Sequence, residues 1–339
     1  MPRLIHITDL YHPHEDPDDH FDLAQIFALA KNGDIDLCHI IIDWPTKEKQ
    51  GDPALCAVAQ LNHLAGLDVP VTIGADVDKF RGKPELWANA SYSDVKAADR
   101  IIEILKNSDE KVYITIVGGC LDTAIALSRN AQVFREKCAG ILLNAGSATN
   151  TETLEYNVNL GRIEYSTIFS APCPIYWNPC FDNIETGEGC YKTHWCFQMK
   201  EVFSVISNGL NSYFTYMLTE SANPKYLGVL FETCDLNVLA EWGKQIRNMW
   251  CTGSIFHAGG LTVTPEGDIV SERSESASVY SYEPIRVSCN ENGITSWEHL
   301  PESESLADKT SKRYIFKIND EKQYPLAMKK AMAEILKRL

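Results

Sequence analysis

Residues 4–24 read LIHITDLYHPHEDPDDHFDLA. Residues 4–7 form a short apolar run typical of a buried strand, and residues 21–30 have the apolar spacing of a helix. The turn between them holds five carboxylates, which are Asp9, Glu15, Asp16, Asp18 and Asp19. In an open parallel sheet such a turn lies at the carboxyl ends of the strands, where these folds bind ligands. The stretch therefore predicts an α/β fold with a binding site at this turn.

Carboxylates this close together repel one another unless a cation lies among them. A hard cation with oxygen ligands, Ca²⁺ or Mg²⁺, is the natural candidate. Helix capping and interaction with the helix dipole would account for one or two acids, but not for five between Asp9 and Asp19. Zinc is a weaker alternative, because His12, His14 and His20 lie in the same stretch without a recognised ligand spacing. We therefore expect a metal or substrate site here.

Further apolar runs follow along the first half of the chain. They are residues 37–42, 69–74, 111–117 and 140–146, and helical segments separate them. Strands that alternate with single helices predict βαβ units. We therefore expect a doubly wound, mostly parallel central sheet flanked by helices.

The second half of the chain is less regular. Residues 197–218 are apolar and aromatic, which predicts a helix, and residues 282–297 predict two strands around a turn. Residues 301–310 predict an acidic loop, and a closing strand and a helix are expected after it. No repeat or low-complexity linker interrupts the sequence, so we predict a single domain over residues 1–339.

The composition narrows the class of protein. The chain has 339 residues, 45% of them hydrophobic, and a formal net charge of −15 with a pI near 5.0. This acidic balance argues against a nucleic acid or an anionic membrane surface as partner. No apolar run is long enough to predict a membrane span, and the N-terminus lacks a signal-peptide pattern. The eleven cysteines are scattered without a Cys-x-x-Cys pair, so we expect reduced thiols and a cytoplasmic protein.

A strand that ends in Asp, followed by Asp-Asp at the start of a helix, resembles the signature of the calcium-dependent nucleoside N-ribohydrolases of the inosine-uridine type. The separation of Asp9 from Asp18 is longer than that family's usual spacing, so the match implies an insertion. Residues 154–159, LEYNVN, resemble the family's Glu-Phe-Asn segment, which also follows a strand. The likeness covers essentially the full length. It implies a divergent member with the nucleoside hydrolase-like, Rossmann-like fold.

The resemblance implies a calcium site. Asp9, Asp19 and the backbone carbonyl of Val117 would be the ligands, and Asp9 would also take a proton from the attacking water. In the family a late Asp completes this site, often after a His that can protonate the leaving base. The best counterpart here is His257 followed by Ala258, so His257 fits the acid position while the carboxylate is missing.

Two other residues could supply the late carboxylate. If the alignment is shifted, Asp235 or Asp268 would serve instead of Ala258. A lone His beside small residues is also commonly a structural hydrogen-bonding group, so the catalytic role of His257 is one of two readings.

The resemblance also implies a ribose site. Asp18, Glu155 and Asn157 would bind the ribose hydroxyls. Taken without the resemblance, Glu155 and Asn157 are typical caps of the following helix. Asn178 follows another predicted strand, and we expect it to reach the ligand.

The expected function is calcium-dependent hydrolysis of the N-glycosidic bond of a ribonucleoside, which releases base and ribose in nucleoside catabolism. One alternative is a hydrolase of another ribosyl or glycosyl compound on the same fold. Another is a non-catalytic protein that binds a nucleoside or sugar. The expected partner is a small molecule, and family members are commonly homo-oligomers. The base preference is not given by the sequence.

Overall fold

The computed structural model describes residues 1–13, 17–45, 51–301 and 312–339. Its strands are β1 Arg3–Thr8, β2 Tyr11–His12, β3 Asp36–Ile42, β4 Asp52–Pro53, β5 Val71–Ile73, β6 Val112–Ile116, β7 Cys138–Asn144, β8 Ile175–Asn178, β9 Trp195–Gln198, β10 Ile246–Met249, β11 Leu261–Val263, β12 Ile269–Ser271, β13 Tyr280–Cys289, β14 Thr295–His299 and β15 Arg313–Ile318. Its α-helices are α1 Asp18–Asn32, α2 Leu55–Ala65, α3 Val77–Phe80, α4 Lys96–Asn107, α5 Leu121–Lys137, α6 Tyr156–Leu160, α7 Arg162–Ile168, α8 Lys200–Phe203, α9 Asn208–Leu218, α10 Leu236–Gly243, α11 Thr252–Ala258 and α12 Tyr324–Leu336. Short 3₁₀ helices cover Pro84–Leu86 and Gly228–Phe231.

The central sheet has the order β14-β13-β15-β8-β7-β6-β1-β3-β5. From β15 to β5 every neighbouring pair is parallel, whereas β13 is antiparallel to both β15 and β14. The predicted doubly wound, mostly parallel sheet is therefore confirmed. The prediction of one helix over residues 197–218 is wrong, because that segment contains the end of β9, then α8 and α9. Its apolar residues belong to short elements that pack on the same side of the sheet.

Alternation along the strands divides the core into two apolar clusters. In β1, Leu4 belongs to the cluster that contains α1, α2, α9, α11 and α12, whereas Ile5 and Ile7 belong to the cluster that contains α4, α5 and α7. In β3, Ile40 and Ile41 face opposite sides in the same way. Because side chains alternate across a strand, a continuous apolar run buries both faces of the sheet. Polar side chains are consequently concentrated at the ends of the strands.

Helix α1 links the core to the carboxyl edge of the sheet. It begins at Asp18 after Pro17, and it ends at Gly33, whose φ of 81° is the left-handed conformation that glycine adopts readily. Within the helix, Phe21 stacks on Phe214 of α9, with ring centroids 4.2 Å apart. The same helix therefore carries both the start of the acidic turn and a central packing contact.

The described residues include some of the features predicted from the sequence and leave others out. His14, Glu15 and Asp16, and most of the predicted acidic loop at 301–310, lie outside them. The eleven cysteines all lie inside them and are all free. Among the helices of the described ranges, none combines the length and apolar character needed to cross a bilayer.

We expect Phe21→Ala to lower the free energy of unfolding by about 3–5 kcal/mol, because it removes a fully buried ring and leaves a cavity beneath α1. Urea unfolding monitored by circular dichroism measures the change. Phe231→Ala is the matched control, since that ring is 74% exposed and its loss should cost within about 0.5 kcal/mol. Equal losses in the two variants would show that α1 is not held by this contact.

Candidate functional site

The end of β1 and the start of α1 meet at the carboxyl edge of the sheet. Asp9, directly after β1, is 7% exposed, and Asp19, in the first turn of α1, is 5% exposed. The Thr8 hydroxyl donates a hydrogen bond of 3.4 Å to Asp19 Oδ1, and Asp18 lies half-buried beside Asp19 on the same turn. The positive end of the helix dipole favours both helix carboxylates. We call Asp9, Asp18 and Asp19 the acidic group.

The histidines near the acidic group have other partners. His12, in β2, donates from Nε2 to the Ser221 carbonyl oxygen at 2.8 Å, and its ring stacks on Tyr216 with centroids 5.2 Å apart. His20 Nδ1 lies 3.2 Å from the Tyr213 hydroxyl. These contacts tie the loop after Asp9, and the start of α1, to α9. They give the zinc alternative no support among the described histidines.

The end of β6 meets the first turn of α6. The Asn157 side-chain Nδ2 donates a hydrogen bond of 3.3 Å to the backbone carbonyl of Val117. The other side-chain atom, Asn157 Oδ1, is buried and has no hydrogen-bond partner within the described residues. Two positions that are far apart in the sequence are thus in contact. A buried amide oxygen without a donor is a place where a ligand's hydroxyl group can bind.

Glu155 is the N-cap of α6. Its carboxylate accepts hydrogen bonds from the backbone N–H groups of Asn157 at 2.9 Å, Val158 at 3.2 Å and Gly146 at 3.0 Å. The capping interpretation is therefore what the structure shows for this side chain. These three bonds fix the loop after β7, and they hold Asn157 in position against Val117.

Asn178 lies at the end of β8 and is fully buried. Its Nδ2 donates to the Tyr176 carbonyl at 2.8 Å, and its Oδ1 accepts a bond of 2.6 Å from the Tyr282 hydroxyl. The neighbouring strand end has a similar arrangement, since Asn144 Oδ1 accepts a bond of 2.6 Å from the Ser254 hydroxyl of α11. Both amides therefore bind protein groups, and the ligand role of Asn178 stays a prediction.

The residue that α11 brings to the acidic group is Cys251, directly before the helix. Burial raises the pKa of the Cys251 thiol well above its usual value, and the charges of Asp22, Asp18 and Asp19 raise it further. Asp22, one turn along α1, is also buried, and burial raises its pKa to about 8. Neither Asp22 oxygen has a well-aligned hydrogen bond within the described residues, although the Cys251 thiol lies beside it. Burial therefore favours the protonated forms of both side chains.

His257 lies at the opposite end of α11, about 9 Å from Cys251 along the axis at 1.5 Å per residue. Its Nδ1 bonds to the Glu272 carboxylate, and its ring lies 4.4 Å from the rings of Tyr176 and Tyr282. These contacts occupy Nδ1, whereas Nε2 is buried and has no hydrogen-bond partner within the described residues. The role of His257 as the acid that protonates the leaving base stays a prediction.

The two alternative sources of a late carboxylate also lie elsewhere. Asp235 caps α10, where it accepts a bond of 2.8 Å from the Asn237 N–H. Asp268 forms an ion pair of 2.8 Å with Lys330. Both are exposed, and both are engaged in local structure. Neither side chain is joined to the acidic group by these contacts.

The residues present fit a calcium ion in the type of donor but not in number. Within the described residues, no three His, Cys, Asp or Glu side chains are grouped so that they could hold a metal ion. Calcium takes about six to eight oxygen ligands. The oxygens near the acidic group are those of Asp9 and Asp19, the Val117 carbonyl and the buried Asn157 Oδ1. Cys251 adds a thiol, which is a soft ligand, where a further carboxylate would be needed.

A second set of acids lines an open cleft that also reaches Asp9. Asp43 follows β3, Asp122 lies in the first turn of α5, and Glu164 lies in α7. Burial raises the pKa of Asp43 to about 8, with a contribution from the charge of Asp122, and it raises the pKa of Asp122 to about 6. Burial also raises the pKa of Glu164. We call this feature the acidic cleft.

None of the three acids of the cleft was among the residues predicted from the sequence. One available signal was that Asp43 directly follows a predicted strand, as Asp9 does. A second signal was glycine at the ends of the two neighbouring strands, at Gly74 and Gly118. Asp122 and Glu164 had no comparable signal, because acids within helices are usually solvent-exposed.

Comparison with solved structures identifies the fold. No protein-family model matches the sequence, and no curated protein matches it significantly. The effector protein XOO4466 matches with 13% identity over 99% of this chain and 94% of that chain, at a TM-score of 0.55. A plant nucleoside hydrolase matches with 14% identity over 98% and 99%, at 0.50. The inosine-uridine preferring nucleoside hydrolase of Bacillus anthracis matches with 13% identity over 100% of both chains, at 0.48. The first two matches show that the chain has the nucleoside hydrolase-like fold that the sequence predicted.

We expect Asp122→Asn to flatten the pH dependence of stability. The pKa of Asp122 is about 6 in the folded protein against 3.8 ordinarily, so the folded state holds this proton more tightly. Its contribution to stability is fully present below about pH 4 and is lost as the pH rises through about 6, which corresponds to about 3 kcal/mol at most. Asn retains an oxygen for the bond from the Ala75 N–H, which is 3.0 Å long.

Urea unfolding at pH 4 and at pH 7.5 measures the effect. Relative to wild type, the Asn variant should gain stability at pH 7.5 compared with pH 4. Asp68→Asn is the control, because Asp68 is exposed and should leave the pH dependence unchanged. An Asn variant with the same pH dependence as wild type would show that Asp122 does not titrate as described.

Proposed function

We propose that the chain is an N-glycosyl hydrolase that acts on a ribonucleoside or a closely related ribosyl compound. The observation that carries the proposal is the contact between Asn157 and the Val117 carbonyl, beside the acidic group. It joins the end of β6 to the first turn of α6, and Gly118, the residue after Val117, lies against the backbone of Asp9. The nucleoside hydrolase-like fold and the acidic edge support the same chemistry.

In this proposal each side chain has a limited task. Asp9 takes a proton from the attacking water as general base. Asp18 and the Asn157 Oδ1 accept hydrogen bonds from ribose hydroxyls. Cleavage of an N-glycosidic bond passes through a transition state with positive charge on the sugar, which nearby carboxylates and carbonyls stabilise. Glu155 acts indirectly, because its bonds to backbone N–H groups hold Asn157 in place.

Calcium is part of the proposal as a weakly bound ion. Asp9, Asp19 and the Val117 carbonyl would hold it, and when bound it would supply a water of lowered pKa. The thiol of Cys251 and the absence of a third carboxylate among the described donors lower the expected affinity. A second candidate function, non-catalytic binding of a nucleoside or sugar, is favoured by this same shortage of metal ligands.

The direct test is release of free base from inosine, uridine, adenosine, guanosine and cytidine. We expect base and ribose from at least one of them, and Asp9→Asn should lower kcat by roughly 10²–10⁴-fold, the usual effect of losing a general base. Asp268→Asn should leave the rate unchanged, because Asp268 pairs with Lys330 at the surface.

The remaining outcomes separate the alternatives. Binding of a nucleoside without any base release would favour the non-catalytic function. Base release that EDTA does not affect would remove calcium from the proposal and leave the hydrolase. No binding and no release with the whole panel would contradict the proposed function.

We expect Cys251→Asp to strengthen calcium binding by about tenfold or more, because calcium affinity rises with the number of charged oxygen ligands. Isothermal titration of metal-free protein with CaCl₂ measures the change. Cys196→Asp is the matched control, since Cys196 is exposed and lies on β9. Unchanged calcium affinity in Cys251→Asp would show that the side chain at position 251 does not face the ion.

A further inference from the structure

The acidic cleft is built by glycines at two strand ends. A Cβ at Gly118 would lie 2.6 Å from Asp43 Oδ2, and a Cβ at Gly119 would lie 2.9 Å from the same atom. A Cβ at Gly74 would collide with Asp122 Oδ2 in the same way. The absence of side chains at these positions is therefore what allows two carboxyls to lie against the backbone. The Gly119 N–H also donates a hydrogen bond to Asp43.

Glu164 adds a carboxyl oxygen that the protein does not use. The residue is 1% exposed, and its Oε1 accepts a bond of 2.6 Å from the Gly82 N–H. Its Oε2 is buried and has no hydrogen-bond partner within the described residues. A buried carboxyl oxygen without a donor is costly, and the cost is relieved by a ligand that brings a donor or a positive charge. Glu164 lines the cleft, so the ligand would enter there.

The charge of the cleft indicates the sign of the ligand. Asp43, Asp122 and Glu164 line it together with Arg81, whose guanidinium forms no ion pair or hydrogen bond in the part of the chain that is described. A ligand cation would be attracted by the acids and repelled by Arg81. Trp44, which is 41% exposed, also lines the cleft, and an exposed aromatic face attracts cations.

The arrangement of the acids indicates the kind of cation. No three acids in the described residues approach closely enough to hold one metal ion. The cleft is open to solvent, and an ammonium group carries several N–H donors that can reach separate carboxyls. Tyr11 closes one side, where its hydroxyl donates to the Asp43 and Trp44 carbonyls at 3.3 Å and 3.2 Å.

We propose that the acidic cleft is a binding site for an organic cation with a primary ammonium group. Glu164 Oε2 and Asp122 accept hydrogen bonds from the ammonium, and Trp44 contacts the attached carbon chain. Arg81 weakens the binding and so keeps the empty cleft from attracting cations indiscriminately. The cleft shares Asp9 with the acidic group, and the residues that bind the ammonium, Glu164 and Asp122, lie outside that group.

Isothermal titration at one fixed ionic strength, in the presence of EDTA, tests the proposal with putrescine as the probe. Putrescine should bind at least tenfold more tightly than 1,4-butanediol, which has the same length without charge. Glu164→Gln should weaken putrescine binding at least fivefold. Glu185→Gln is the matched control, because Glu185 is exposed on another loop and should leave binding unchanged.

Arg81→Gln is the decisive variant, because it alters a half-buried residue without touching the buried acids. It should tighten putrescine binding severalfold. Weaker or unchanged putrescine binding in this variant would overturn the proposal, as would equal binding of putrescine and 1,4-butanediol by wild type. Inorganic phosphate is the opposite probe: phosphate binding that Arg81→Gln abolishes would show that the cleft is an anion site. Circular dichroism melts confirm that each variant is folded.

Discussion

Burial of both faces of a parallel sheet is the constraint on which the rest of this structure depends. The strands are apolar on both sides because helices cover both sides, so they have few positions for polar side chains. Polar side chains therefore gather where the strands end, as Asp9, Asp43 and Asn144 do. The two polar regions of the molecule, the acidic group and the acidic cleft, share Asp9 at the end of β1. Their closeness follows from the sheet order, in which β1 is the neighbour of both β3 and β6.

The acids near this edge differ in whether the protein supplies hydrogen-bond donors to their oxygens. Some accept hydrogen bonds from the protein itself, as the Glu155 carboxylate does from three backbone N–H groups. These acids hold the surrounding backbone in place. Others, such as Asp22 and Glu164, are buried with oxygens that lack aligned donors. Desolvation favours their protonated forms, so the folded edge carries less negative charge than a count of its acids suggests. A ligand that supplies donors or positive charge would change that balance.

The sequence predicted the fold and the acidic turn because both depend on local patterns. The strand before Asp9 and the helix after Asp18 are visible in hydrophobic periodicity, and the structure confirms both elements. The roles predicted for residues late in the sequence came instead from matching single residues to a family pattern. His257 attracted that match, whereas the position of Cys251 beside Asp22 depends on the long-range contact between α11 and α1. Cys251 was therefore overlooked.

The acidic cleft could not be predicted for a related reason. Asp43, Asp122 and Glu164 come from three segments separated by more than a hundred residues in total, and only the closed sheet brings them together. Each acid alone is unremarkable in the sequence. The glycines at Gly74 and Gly118 were the indirect signal, since their role is visible only once the carboxyls that they accommodate are known.

Because α1 carries Phe21 in the core and Asp18 and Asp19 at its first turn, occupancy of the site and cohesion of the core are thermodynamically linked. The acidic group cannot move far without disturbing the aromatic packing against α9. A ligand that binds only the folded form adds to its stability according to mass action, by about 2.7 kcal/mol at a hundredfold excess over its Kd. The melting temperature of this protein is therefore an indicator of what its acidic edge binds, even for a compound that it does not transform.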